Sequence, residues 1–323
     1  MKVLHIFSSK AFAGLERHVE ELSFEQSKNN NVLVIGPEKF KNKFRVNYHS
    51  LDNLGYRFSP FKSSNLEEIF LNYTPDIVNT HGTKPAVLLK KFKNRAFKWI
   101  ATVHNNKKNV YAYEKADSII AVSKLAVTNF KNQQKNIYHE LNWVDETRFP
   151  KYTKKNGEYF CFIGRLEPQK NLETLIKIWK SIEEKLVIVG EGSQEQGLKN
   201  LVADLDIAEK IKFIPYTDNV GNILCRSKGQ IFCSIKEGSP KSFFESLYCE
   251  VPVIATPVGA FPELLDNEFI SSDLTYNSIK KVIVHWTARP KELQKKQKDL
   301  ISSIKKNHTI KKASERIFKI YES

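Results

Sequence analysis

The feature that most constrains this 323-residue chain is an alternation that runs through it twice: short Val- and Ile-rich runs separated by amphipathic stretches. VLHIFS (3–8), NVLVIG (31–36), DIVNTH (76–81), WIATVH (99–104) and SIIAVS (118–123) form the first series, with spacers such as residues 15–28 and 65–73 between them. YFCFIG (159–164), LVIVG (186–190), IKFIP (211–215), QIFCSI (230–235) and VPVIAT (251–256) form the second. Short apolar strands with helical spacers imply parallel sheets covered by helices on both faces. Two Rossmann-like α/β domains are the simplest account. The boundary is expected between Asn142 and Gly157, where NWVDETRFPKYTKKNG carries Pro150, Lys151, Lys154 and Lys155 and few aliphatic residues. Ligands of open α/β sheets bind beyond the carboxyl ends of the strands, so two such domains facing each other would create one deep cleft. The tail from about Ser302 to Tyr321 reads as a basic helix with Ile304, Ile310, Ala313, Ile317 and Ile320 at near-helical spacing.

Composition excludes several classes. At 41% hydrophobic residues the chain fits a soluble globular protein, and no run approaches the roughly 18–20 apolar residues of a membrane span. It opens on a strand without a signal-peptide layout, so a cytoplasmic location is expected. Cys161, Cys225, Cys233 and Cys249 lack metal-ligand spacing and read as reduced core residues. The net charge of +15 is unevenly spread: residues 1–150 hold 23 Lys and Arg against 14 Asp and Glu. Clusters at Lys39, Lys41, Lys43, Arg45 and at Lys90, Lys91, Lys93, Arg95, Lys98 would attract an anionic surface. No helix-turn-helix, zinc or RNA-binding signature accompanies that charge.

The candidate chemistry lies in the second half. EGSPKSFFESL follows the apolar run QIFCSI and places Glu237 and Glu245 eight residues apart. Ser242–Tyr248 reads as a helix burying Phe243, Phe244 and Leu247, with Pro240 where a helix can begin. A helix start offers unpaired N–H groups and partial positive charge, so Gly238, Ser239, Pro240, Lys241 and Ser242 could hold an anionic or hydroxyl-rich ligand beside the two glutamates. About seventy residues earlier, GRLEPQKN supplies Arg165 and Lys170, a planar fork and a compact charge suited to phosphate.

Taken in order, these motifs resemble those of the GT-B glycosyltransferases, specifically the retaining, nucleotide-sugar-dependent enzymes of family 4. FIGRLEPQKNLETLI (162–176), LVIVGEG (186–192), EGSPKSFFESL and VPVIATPVGAFPELL (251–265) carry the resemblance, together with NWVDETRF (142–149) and AFAGLERH (11–18). It implies two facing Rossmann-like domains with an interdomain cleft. Residues 1–148 would bind the acceptor, completed by the C-terminal helix 302–323, and residues 149–301 the nucleotide sugar.

By the same resemblance, Arg165 and Lys170 would hold the donor diphosphate, Glu245 the ribose hydroxyls and Glu237 the transferred sugar. Gly14 would let the backbone approach a phosphate. His104 would lie near the transferred sugar, with His81 at the end of the preceding strand. The chain departs from the family pattern where Ala13, Glu250 and Ala260 replace glycines. Asp204-Leu205-Asp206 matches an Asp-x-Asp metal string but falls in a helix-to-strand turn, so transfer without a divalent ion or other cofactor is expected.

The implied activity moves a sugar from a nucleoside diphosphate to a glycan or lipid-linked acceptor, in bacterial surface polysaccharide or lipopolysaccharide assembly, with peripheral contact at an acidic membrane surface. The alternatives are a nucleotide-sugar epimerase on the same fold and a nucleic-acid-binding protein.

Overall fold

The computed structural model describes residues 1–51, 60–92, 96–106, 110–130, 136–149 and 157–323, the side chains of 60–64 excepted. Lys93, Arg95, Pro150, Lys151, Lys154 and Lys155, counted above among the basic clusters and the linker, lie outside the described residues. The chain forms two compact units, one of Met1–Asn142 with Ile310–Ser323 and one of Trp143–Thr309.

The first unit is built on seven parallel strands: β1 (Lys2–Phe7), β2 (Asn31–Gly36), β3 (Asn47–Ser50), β4 (Ile77–His81), β5 (Lys98–Val103), β6 (Ser118–Ala121) and β7 (Asn136–His139). Their order is β3-β2-β1-β4-β5-β6-β7, with every adjacent pair parallel. The second unit has five: β8 (Tyr159–Ile163), β9 (Leu186–Val189), β10 (Ile211–Ile214), β11 (Ser227–Phe232) and β12 (Val253–Ala255), in the order β10-β9-β8-β11-β12, again all parallel. Each of the ten expected apolar runs supplies a strand. β3 and β7 escaped the sequence reading because NYHS and NIYH are polar edge strands, covered on one side only. The run expected at 230–235 is shifted: β11 begins at Ser227 and ends at Phe232, leaving Cys233–Ile235 to lead into the turn that carries Glu237.

Strand order reverses between β1 and β4 in the first sheet and between β8 and β11 in the second. At such a point neighbouring connections leave the sheet in opposite directions and open a crevice at the strands' carboxyl ends. His81 ends β4 and His104 follows β5. In the other unit Gly164 and Arg165 follow β8, and the Glu237 turn follows β11.

Burial explains why the elements hold. Val19 of the Gly14–Ser27 helix packs against Phe7 and Val34 of the first sheet, all three fully buried. In the second unit Phe243, Phe244 and Leu247 are buried as their spacing predicts, Phe243 against Phe232 and Phe261. Each such side chain contributes roughly 1.5–3 kcal/mol. All four cysteines are buried free thiols in this unit, and burial pushes those of Cys161, Cys233 and Cys249 up to about 12. Among the described residues, no helix is long and apolar enough to cross a membrane.

The C-terminal tail differs from the single helix expected. It forms Lys298–Asn307 and Ile310–Glu322, interrupted at His308 and Thr309, where the Val144 N–H donates to the His308 carbonyl at 2.8 Å and Val144 bridges Thr309. The earlier helix packs on Lys241–Tyr248 within the second unit, and only the later one joins the first unit. There Arg316 grips the buried Glu140 carboxylate through Nε and Nη2 at 2.6–3.0 Å. Lys98 Nζ donates to the carbonyls of Ile320 and Tyr321 at 3.2 Å, capping the helix's negative end. This member of the second basic cluster therefore fastens the fold instead of forming an open charged face.

Candidate active site

In the second unit the loop after β8 is shaped by glycines on its neighbour. Gly190, at φ +136°, passes so close to the Gly164 carbonyl that any side chain there would collide with it. Gly164 N–H donates to Val189 O at 3.0 Å and Leu166 N–H to Glu191 O at 2.9 Å, pinning both ends of Gly164–Leu166. Between them Arg165 is exposed: its carbonyl accepts the Glu167 N–H at 3.0 Å, while its guanidinium has no hydrogen-bond or ion-pair partner among the described residues. A short 3-10 turn, Pro168–Lys170, then leads through Asn171 in the left-handed region (φ +54°) into the Leu172–Trp179 helix.

That turn delivers Lys170 to Glu237. Their Nζ–Oε1 separation is 2.5 Å, and Ser234 Oγ donates to the same oxygen at 2.7 Å. Lysine and glutamate side chains are only 14% and 8% exposed, so the pair is preorganised in a partly dehydrated spot. Gly259, at φ +60°, lets the next loop approach so closely that a Cβ would strike the Gly238 carbonyl. Ala260 N–H donates to that carbonyl at 2.8 Å and needs no positive φ itself, which explains why alanine stands there. Glu250 does sit at φ +61°, the conformation glycine would supply freely, and its carboxylate is tied to Lys305 Nζ at 2.5 Å.

Lys241–Tyr248 forms the helix expected after Pro240, which is its N-cap. Two of its residues have commitments the sequence did not reveal. Lys241 is buried, its ammonium donating to the Trp143 carbonyl at 2.6 Å above the indole ring, so its charge is turned into the packing. Glu245, also buried, receives Arg148 Nη1 at 3.0 Å. Arg148 belongs to the segment read only as a linker, and nothing in its local pattern marks it as a partner for a glutamate 97 residues away. Ser242 Oγ donates to Ile163 O at 3.3 Å, joining the helix start to the end of β8. Ser239 is buried beside Gly238. Asp204 and Asp206 lie exposed between the Glu195–Asp204 helix and β10.

In the first unit the Gly14–Ser27 helix begins at Gly14 itself, which is exposed. Glu16 turns back to accept the Ala13 N–H at 2.7 Å, so one donor of this helix start is already used and a carboxylate stands beside the others. His104 is part of a cluster that the sequence reading recognised only through His81. His5 Nε2 lies 2.8 Å from Gln26 Oε1, His5 Nδ1 3.0 Å from His81 Nε2, and His81 Nδ1 3.2 Å from His104 Nε2. His18 donates from Nδ1 to Asn142 Oδ1 at 2.7 Å and stacks edge-on to His104 at 4.5 Å between centroids. One nitrogen each of His18, His81 and His104 falls within 4.8 Å of the other two, so this trio could gather around a cation. The shared signal is that NTHGT and TVHNN each carry a histidine at a strand end, and β1 and β5 flank β4.

Burial keeps the rings of His5, His81 and His104 neutral. It lowers the His5 pKa to about 4 despite the opposing hydrogen bond to Gln26, and it lowers that of His104 to about 3. His81 is held well below the ordinary range by burial first and then by His5, His104 and His18. His104 keeps a part-exposed edge, so the fully enclosed His5 and His81 carry the stability consequence. With both folded pKa values depressed below about 6.5, their contribution is complete above that pH and is lost as pH falls, for His5 toward about 4. The His5 ring alone should cost roughly 2 kcal/mol of stability by pH 5. Thermal melts should therefore drop from pH 7 to 5, less steeply in His5→Gln. Equal Tm values across that range would contradict the burial argument.

A sequence model of the family described as glycosyl transferases group 1 matches residues 144–316. The N-acetyl-alpha-D-glucosaminyl L-malate synthase of Bacillus anthracis is 24% identical over 267 residues, covering 72% of this chain and 69% of that protein. The GalNAc-alpha-(1->4)-GalNAc-alpha-(1->3)-diNAcBac-PP-undecaprenol alpha-1,4-N-acetyl-D-galactosaminyltransferase of Campylobacter jejuni is 27% identical over 255 residues, covering 74% and 70%. Among solved structures, Anabaena HepE in complex with UDP and glucose superposes with a TM-score of 0.83 at 14% identity over 100% of both chains. That likeness is one of fold.

Proposed function

Because the chain belongs to the glycosyl transferases group 1 family and has the GT-B fold, we propose that it transfers a sugar, with retention of configuration, from a nucleoside diphosphate to a lipid-linked or glycan acceptor. The observation that carries this reading is the constellation at the strand-order reversal of the second sheet. Arg165 is an exposed guanidinium, Lys170 is held on Glu237, and Glu245 is held by Arg148.

A diphosphate at the β8 loop would meet the Arg165 fork and the Lys170 ammonium, which stabilise the charge that grows as the glycosidic bond breaks. Glu245 would accept the ribose hydroxyls and Glu237 those of the sugar, through charge-assisted hydrogen bonds. Gly238, Ser239 and Ser242 line the helix start beside them, while Lys241 and Pro240 set its position. On the first unit, His104 is assigned to the transferred sugar and Gly14 to the approach of a phosphate. The departing phosphate would take the proton of the incoming hydroxyl on the same face, and the protein would orient both partners. The basic first half supports an anionic, lipid-linked acceptor at a membrane surface, the class named for the Campylobacter relative.

The test pairs binding with products. One of UDP, GDP, ADP or CMP should raise Tm by several degrees at saturating concentration. The matching sugar nucleotide should then yield a glycosylated acceptor with the donor's anomeric configuration. Release of an altered donor without acceptor would establish an epimerase instead. Transfer should persist in EDTA, and rescue by Mg²⁺ after loss in EDTA would refute the metal-free mechanism.

A further inference from the structure

The histidine cluster does more than fill the crevice between β1 and β4, because its spacings form a continuous hydrogen-bonded line ending at the one part-exposed ring. Gln26 on the Gly14–Ser27 helix presents its carboxamide oxygen to His5 Nε2 at 2.8 Å. An amide oxygen only accepts, so the proton of neutral His5 is on Nε2 and its Nδ1 carries a lone pair. His81 Nε2, 3.0 Å away, must then donate, which leaves His81 Nδ1 as an acceptor. His104 Nε2, 3.2 Å away, donates in turn. One amide oxygen at the buried end thus settles the tautomers of three rings in succession. His5, Gln26 and His81 are at most 1% exposed, so water is poorly placed to compete for any of these nitrogens.

We propose that Gln26, His5 and His81 are positioning residues that lock His104 in its Nε2–H tautomer and leave its Nδ1 as a neutral acceptor for a hydroxyl of the transferred sugar. The second half rests on the assignment of His104 to that sugar. The first half stands on the distances and on the Gln26 amide oxygen facing the neutral, buried His5. A lone imidazole exchanges its two tautomers freely, and only one offers a lone pair at Nδ1. The chain removes that exchange and orients the ring, as the outer hydrogen bond of a metal-bound or catalytic histidine does. No proton is transferred in this role.

Two-bond ¹H–¹⁵N spectra of the full chain labelled with [¹⁵N]histidine report which nitrogen of each ring is protonated. At pH 7.5 His5, His81 and His104 should all be Nε2–H. Gln26→Met has nearly the shape of glutamine but lacks the acceptor, so His104 should become a mixture of tautomers. Its kcat should fall about tenfold with the donor KM changed less than twofold. Gln26→Glu restores an acceptor and should return the single tautomer and most of kcat. A role in packing alone would not separate methionine from glutamate by tautomer.

An Nδ1–H signal for His104 in the wild type would overturn the polarity, and a tautomer unchanged by Gln26→Met would overturn the chain. So would ¹⁵N shifts of metal-coordinated nitrogens with stoichiometric zinc in the purified protein. His104→Ala tests the other half independently: undiminished transfer in that variant would remove the assignment to the sugar while leaving the chain intact.

Discussion

Lys170→Ala is expected to lower kcat/KM for the nucleotide-sugar donor about 10²- to 10³-fold, the effect of removing one preorganised group that stabilises developing charge. The ammonium is already in place before any ligand arrives, held 2.5 Å from Glu237 Oε1, so no reorganisation is needed when the diphosphate leaves. Alanine would also strand the Glu237 carboxylate, 8% exposed, leaving it Ser234 Oγ at 2.7 Å as its side-chain donor among the described residues. That adds about 1–3 kcal/mol of instability, visible as a lower Tm. Lys170→Arg separates the two effects, since it keeps a cation for Glu237 but replaces a compact charge by a broad fork. A folded Lys170→Ala enzyme with wild-type donor kinetics would end the assignment.

Glu245→Ala should weaken donor binding about 10- to 100-fold, the worth of one or two hydrogen bonds to a charged acceptor. The loss should appear in nucleotide affinity measured by calorimetry, because a ribose contact is made equally in ground and transition states. Arg148→Ala should follow in the same direction with a smaller effect. Its guanidinium, 3.0 Å from Glu245 Oε1, orients the carboxylate and balances a charge that is otherwise buried. Nucleotide affinity unchanged in Glu245→Ala would remove Glu245 from the donor site.

What could be read in advance was whatever is written locally. EGSPKSFFESL carries its helix start and aromatic core face within eleven residues, and the structure forms both of them there, whereas the strand before it ends earlier than its apolar run, at Phe232. Arg148 was legible only as part of a polar connection, because its meaning depends on a helix 97 residues downstream. The line of histidines was hidden for a similar reason. His5 lies inside β1, His81 at the end of β4 and His104 after β5, and only the strand order makes them neighbours. The break at His308 did leave a trace: Ile304 and Ile310 are six residues apart, out of phase for one continuous helix of 3.6 residues per turn.

The return of the Ile310–Glu322 helix to the first unit makes that unit discontinuous in the order of synthesis. Lys98, Glu140 and Asn79 are translated long before their partners in the last helix: the Ile320 and Tyr321 carbonyls that Lys98 caps, the Arg316 guanidinium that pairs with Glu140 and the Tyr321 hydroxyl that accepts from Asn79. The whole second unit, Trp143–Thr309, emerges in between and is free to fold first as an uninterrupted stretch. A nascent chain stalled before residue 310 would hold a sheet with an uncovered face and a buried-type carboxylate still exposed, a species for chaperones to guard until its last helix arrives.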